Sequence, residues 1–394
     1  MSLTGTALPV VLFLAAVILF AALVFGLPRL PREWQRVVQR AVAAVLLNVT
    51  VVTLAATLLN DQYAFYVSWS DLLGVRSAVT TAKGGGTAQQ AASASVQGVG
   101  LRKDHTPATL PPLPFPGSRL QTYTVTGPRS GISTKVMVYL PEGYDPKQRR
   151  TYPVILALHG FPGHPQSLFA GVHFDRQVDA AVAMHKLAAP IVVVPEINSP
   201  ADVDTECVNA PGGLQTETWL AADIPQWVVS HFRVQTARTS WATFGYSFGG
   251  WCSAMLGIKH PDIFGGSIVM QGYFRPDFDV SYEPFKPGSA AWNGYDLVKL
   301  ARQRPPALAL WVLASKQDGL SYPSTAALVK YARRPLSITA VLLKTGGHRG
   351  SVWVPRTPEA LDWLGRSLPG FQSTARATQP RLGGSGTKKE TLRR

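Results

Sequence analysis

Acidic side chains are scarce in this chain: 23 Asp and Glu face 38 Lys and Arg, a formal charge of +15 over 394 residues. Such an excess calls for an anionic partner, and nucleic acid is the first to consider. The motifs that would read it are lacking, because there is no zinc-ligand spacing, no RNP-like aromatic motif and no basic helix with base-reading residues. No nucleic-acid partner is therefore expected. Part of the excess is local, since Arg376, Arg381, Lys388, Lys389, Arg393 and Arg394 face only Glu390. Residues 371–394 read as a solvated, disordered tail. The alternative is attraction to anionic lipid head groups or cell-wall polymers.

Charge is absent altogether from Leu8 to Leu27, a run of Leu, Val, Phe and Ala. Its length matches the ~20 residues a bilayer requires. A cleaved signal peptide is the competing reading, but no basic residue precedes the run and a second apolar run follows at Ala41 to Leu59. That run is softened by Asn48, Thr50, Thr53 and Thr57, the threonines falling on one helical face where a neighbouring helix can pack. An amphipathic surface helix is the alternative for it. Between the runs stand Arg29, Arg32, Arg36 and Arg40 against Glu33 alone. Basic short loops stay cytoplasmic, so both chain ends are expected outside, in a multi-pass membrane protein whose remaining sequence works where ATP and nicotinamide cofactors are not expected.

Cysteine is nearly missing, with only Cys207 and Cys252. In an oxidising compartment two cysteines of one domain pair as a disulfide, with two buried free thiols as the alternative. No internal repeat is present. From Leu73 to Gly117 apolar periodicity is lost to Gly, Ala, Ser, Thr, Gln and Pro, which reads as a flexible linker followed by a polyproline spacer. The block from 119 to 370 is different. Leu120–Thr126 and Thr134–Leu140 alternate like an edge hairpin, and continuous apolar runs follow at Pro153–Leu158, Ile191–Pro195, Trp241–Phe244, Ser267–Met270, Leu308–Leu313 and Ile338–Leu343. Helical stretches intervene at Phe174–Leu187, Glu217–Phe232, Gly249–His260, Tyr295–Arg304, Tyr322–Arg333 and Pro358–Leu368. Alternating strand and helix predict a mainly parallel, doubly wound α/β sheet.

The stretch Gly245-Tyr246-Ser247-Phe248-Gly249 joins an expected strand to an expected helix. Gly-x-Ser-x-Gly is weak alone and strong in that setting, the form of a nucleophile elbow that exposes a serine hydroxyl above the sheet. A nucleophilic serine needs a base, an acid to orient it and donors for an oxyanion. Only two histidines follow Ser247. His260 is thirteen positions along the same helix and so ~20 Å away. His348, in a glycine-rich loop after the last expected strand, is the base. Asp318 is the only acidic residue between Asp296 and His348, and it too follows a strand. A turn aspartate is its structural alternative. The backbone N–H groups of Phe248 and Phe161 are the expected oxyanion donors, Pro162 having none. His159, at a strand end, is expected to be structural.

Gly245 to Gly250, followed by His260-Pro261-Asp262-Ile263-Phe264, resembles the esterase D-like branch of the α/β-hydrolases, which includes secreted mycolyltransferases of mycobacterial envelopes. Glu217-Thr218-Trp219 to Ile224-Pro225-Gln226 and the Gly347-His348 loop with Trp353 are similar to stretches of that branch. The resemblance covers residues 119–370. It implies serine carboxylesterase or acyltransferase activity without a metal or cofactor, on an ester that near a bilayer includes lipid and envelope esters. A non-catalytic envelope protein on the same fold and a serine peptidase-like hydrolase are the alternatives.

Overall fold

A computed structural model describes residues 6–26, 33–63, 65–66, 68–74, 78–97, 100–101, 110–199, 203–279 and 282–374. The basic tail beyond 374, and Arg29 and Arg32 of the expected basic loop, lie outside the described residues, while Arg36 and Arg40 of that loop fall instead in the helix Glu33–Tyr63.

Among the described residues nine strands form one sheet: β1 (Val79–Gly85), β2 (Leu120–Thr126), β3 (Ser133–Tyr139), β4 (Val154–Leu158), β5 (Ile191–Pro195), β6 (Trp241–Tyr246), β7 (Gly266–Met270), β8 (Ala309–Ser315) and β9 (Ser337–Leu343), in the spatial order β1-β9-β8-β7-β6-β4-β5-β3-β2. The six strands from β9 across to β5 run parallel. β2 and β3 form the expected antiparallel edge hairpin, with β3 antiparallel to β5. The central strands β4 to β8 are buried on both faces, which is why they read as unbroken apolar runs. One face is covered by helices Ile224–His231, Phe248–Lys259, Leu297–Gln303 and Ser321–Tyr331, the other by Phe174–Ala183 and Thr357–Ser367. This is the doubly wound α/β architecture expected from the sequence.

Two expected elements take a different form. The helix expected over Glu217–Phe232 is interrupted by a π turn at Trp219–Asp223 before Ile224–His231. Pro225 sits at the start of that last stretch and brings no N–H to the ladder, and a π turn is the usual local adjustment. The expected linker Leu73–Gly117 requires a larger correction. Val79–Gly85 is an antiparallel edge strand, in register with β9 from Val79↔Leu343 to Gly85↔Ser337, and Ala88–Ser93 is a capped helix whose Ala91 is buried under the sheet. Its glycines serve close approach rather than flexibility: a Cβ on Gly84 would lie 2.7 Å from the carbonyl oxygen of Val329.

Ahead of the sheet, α1 (Ala7–Ala21, continued by a π turn Ala22–Gly26) packs on α2 (Glu33–Tyr63), and a short helix α3 (Trp69–Leu72) follows. Both long helices have the length and composition to cross a membrane. Their apolar side chains, Phe13, Ile18, Phe25, Val37 and Val52 among them, are largely exposed. The hydroxyls of Thr50 and Thr53 donate to Leu46 O and Val49 O of their own helix, and Thr57, the third threonine of that face, is buried.

Candidate active site

The elbow is a conformational necessity of its sequence. Ser247 has φ 56° and ψ −126°, a conformation that costs a non-glycine residue about 1–3 kcal/mol. It is held between β6 and the helix Phe248–Lys259, with Ser247 N–H donating to Met270 O and Trp251 N–H to Ser247 O. The flanking glycines are sterically required. A Cβ on Gly245 would lie 1.9 Å from Gly249 O, and one on Gly249 would lie 2.2 Å from Leu158 O.

The two other expected site residues converge on this serine. His348 Nε2 lies 2.7 Å from Ser247 Oγ, and His348 Nδ1 lies 3.1 Å from Asp318 Oδ2. The three come from the carboxyl ends of β6, β9 and β8. His348 sits edge-on to Trp353, which stacks on Tyr246. Asp318 is buried, and burial works against its charge. The hydrogen bond and charge of His348 and the donors of Ser321 outweigh that, keeping its carboxyl below the usual range. Ser321 Oγ donates at 2.6 Å, Leu320 N–H at 3.0 Å and Gln271 Nε2 at 3.1 Å. Gln271 is itself fixed by Trp353 Nε1–H.

Gln271 and Ser321 escaped sequence reasoning. Both carry position signals, Gln271 following a central parallel strand directly and Ser321 standing three residues after Asp318, but neither residue type is diagnostic. Of the expected oxyanion donors, Phe248 opens the helix after Ser247 and Phe161 lies on the loop after β4, their rings 6.1 Å apart. His159 is fully buried, with Nδ1 2.9 Å from Gly160 O and Nε2 3.0 Å from Glu196, and so belongs to the scaffold of that loop. His260 pairs with Glu217 at 2.7 Å. Cys207 and Cys252 are bonded, Cα atoms 5.7 Å apart, tying the loop after β5 to the elbow helix. In the chain-entropy view, closing that loop contributes about 4 kcal/mol.

Residues 128–338 match the family described as "Putative esterase". This chain belongs to the esterase family. The solved structures it is similar to include a ferulic acid esterase, with 19% identity and a TM-score of 0.54 over 63% of this chain and 97% of that one. Another is an S-formylglutathione hydrolase from Agrobacterium tumefaciens, with 17% identity and a TM-score of 0.51 over 63% and 95%. At such identities these likenesses establish a shared α/β-hydrolase fold. A curated relative from Corynebacterium glutamicum, itself described as uncharacterized, is 23% identical over 239 residues, 58% of this chain. The match spans about half that relative's length, 56%. The resemblance to esterase D-like α/β-hydrolases is thus borne out at the level of family and fold.

Proposed function

We propose that this esterase-family chain is a membrane-anchored serine hydrolase or acyltransferase that cleaves a carboxylic ester through an acyl-enzyme on Ser247. The observation that carries the reading is the continuous contact from Ser247 Oγ through both ring nitrogens of His348 to the buried Asp318. Neutral His348 takes the Ser247 proton on Nε2 as Oγ bonds to the acyl carbon. The carbonyl oxygen gains the negative charge and is received by the N–H groups of Phe248 and Phe161. The Asp318 carboxylate accepts a hydrogen bond from Nδ1–H, stays ionised and stabilises the imidazolium. When the intermediate collapses, the ester C–O bond breaks and the departing alkoxide takes the proton from Nε2. Water or a second alcohol then repeats the sequence in reverse and releases the acyl group.

Anchoring by α1 and α2, with the Arg-bearing loop inside, puts the hydrolase domain on the outer face of the membrane. The Cys207–Cys252 bond suits an oxidising compartment. Substrates held near the bilayer, esters of lipids or envelope components, fit that location.

The test uses the full chain in detergent, with p-nitrophenyl esters of graded acyl length beside matching p-nitroanilides. Ester turnover is expected, with Ser247→Ala lowering it by at least about 10³-fold. Turnover unchanged in that variant contradicts the reading, and hydrolysis of anilides with no ester activity favours a peptidase-like enzyme.

A further inference from the structure

The loop carrying His348 has little of its own to hold it, since Gly346, Gly347 and Gly350 contribute no side chains. It is held from outside by a residue more than 270 positions away. Asp71, buried in α3, takes the Gly347 N–H on Oδ2 at 3.0 Å and the Arg349 guanidinium on both oxygens, at 2.8 and 2.7 Å. These are the two neighbours of His348. A bidentate, largely buried arginine–carboxylate pair has a fixed geometry and loses much when one partner goes.

The clamp continues toward the apolar helices. The Arg349 guanidinium lies over the Tyr66 ring, 4.2 Å from its centre, and donates to Phe65 O. Tyr66 exchanges two hydrogen bonds with Asn60 near the end of α2, Tyr66 N–H to Oδ1 at 2.8 Å and Nδ2 to Tyr66 O at 2.9 Å. Beyond α3, Lys344 N–H donates to Ala78 O, and β1 zips onto β9, the strand that feeds the loop. Phe65, Tyr66, Asp71 and Ala78, described residues of the segment that follows α2, thus all contact the histidine loop.

We propose that Asp71 is a positioning residue for His348, holding Nε2 against Ser247 through Gly347 and Arg349. The hydrolase site is then completed by the segment that joins it to the apolar helices. This inference rests on the Ser247–His348–Asp318 reading above. Asp71 has no contact with the reacting atoms, so its loss is expected to reduce turnover rather than substrate binding.

The experiment compares full-length wild type, Asp71→Asn, Asp71→Ala, Arg349→Ala and the Asp71→Ala/Arg349→Ala double variant. The readouts are kcat and KM on a p-nitrophenyl ester, per folded protein judged by circular dichroism, and hydrogen exchange over residues 344–350. The expected result is a fall in kcat of about 10- to 100-fold with KM within about twofold, since small displacements of a catalytic group cost this much. Exchange should accelerate in the loop, and the double variant should be no slower than the worse single one. Asp71→Asn keeps the residue's shape, so the test survives if Asp71→Ala fails to fold. A kcat per folded protein within about twofold of wild type in the Asp71 variants overturns the inference, as does a loss of activity matched by a loss of folded protein. Wild-type turnover that persists in Ser247→Ala would instead overturn the reading beneath it.

Discussion

Asp204 is buried two residues before Glu206 and among like charges. Burial first, and then the carboxylates of Asp279 and Asp277, push its pKa up to about 7, against the opposing Glu206 N–H donor. Glu206 is fully buried and is held well above the usual carboxylate range by burial and by Asp204, while Tyr273 O–H donates to it. In the unfolded chain an aspartate loses its proton near pH 4. Between about pH 4 and 7 the folded protein therefore holds a proton that the unfolded chain has released. Asp204's contribution is complete below pH 4 and is lost as pH rises through about 7. Asp204→Asn removes this dependence. Melting temperatures of wild type and variant, measured from pH 4 to 8, should show the variant gaining on wild type as pH rises. A gap that stays constant across the range contradicts the assignment. Single residues divide sharply in how far the sequence disclosed them. Ser247 could be read because its Gly-x-Ser-x-Gly turn joins an expected strand to an expected helix, and His348 and Asp318 because each type is rare in its window and follows an expected strand. Asp71, Gln271 and Ser321 could not, because their partners lie far away in the chain or are donors of a common type.

Among elements, the elbow tolerates little change. Gly249 faces Leu158 O and His159 O, 2.2 and 2.4 Å from where a Cβ would sit. Both atoms are backbone at the end of β4, directly before the Phe161 loop, and neither yields as a side chain would. Gly249→Ala is expected to cost at least about 2 kcal/mol in chemical denaturation. A loss under 0.5 kcal/mol, the usual range of a surface substitution, would contradict this steric account. The elements were legible wherever burial on both faces left a continuous apolar run, as in β4 and β5. β1 was not legible for the converse reason. An edge strand paired on one side, rich in Gly and Thr, has the composition of a linker, and only its partner β9 reveals it.

At the scale of the whole molecule, two exposed apolar helices, the arginines between their apolar runs in the sequence and a disulfide-bonded hydrolase domain are the features behind the proposed anchoring. The proposed anchoring, with the arginine-bearing connection inside, predicts that the domain carrying Ser247 stands outside the cell. Protease added to intact cells should then cut an epitope-tagged domain while leaving a cytoplasmic marker whole, and a protected domain would reverse the orientation. The central claim, that Ser247 is the nucleophile, is tested most directly by treating the full-length protein with a fluorophosphonate and mapping the adduct by peptide mass spectrometry. The account predicts one phosphonylated residue, Ser247, with labelling abolished by Ser247→Ala and by prior denaturation. An adduct on another residue, or labelling retained in Ser247→Ala, would contradict it.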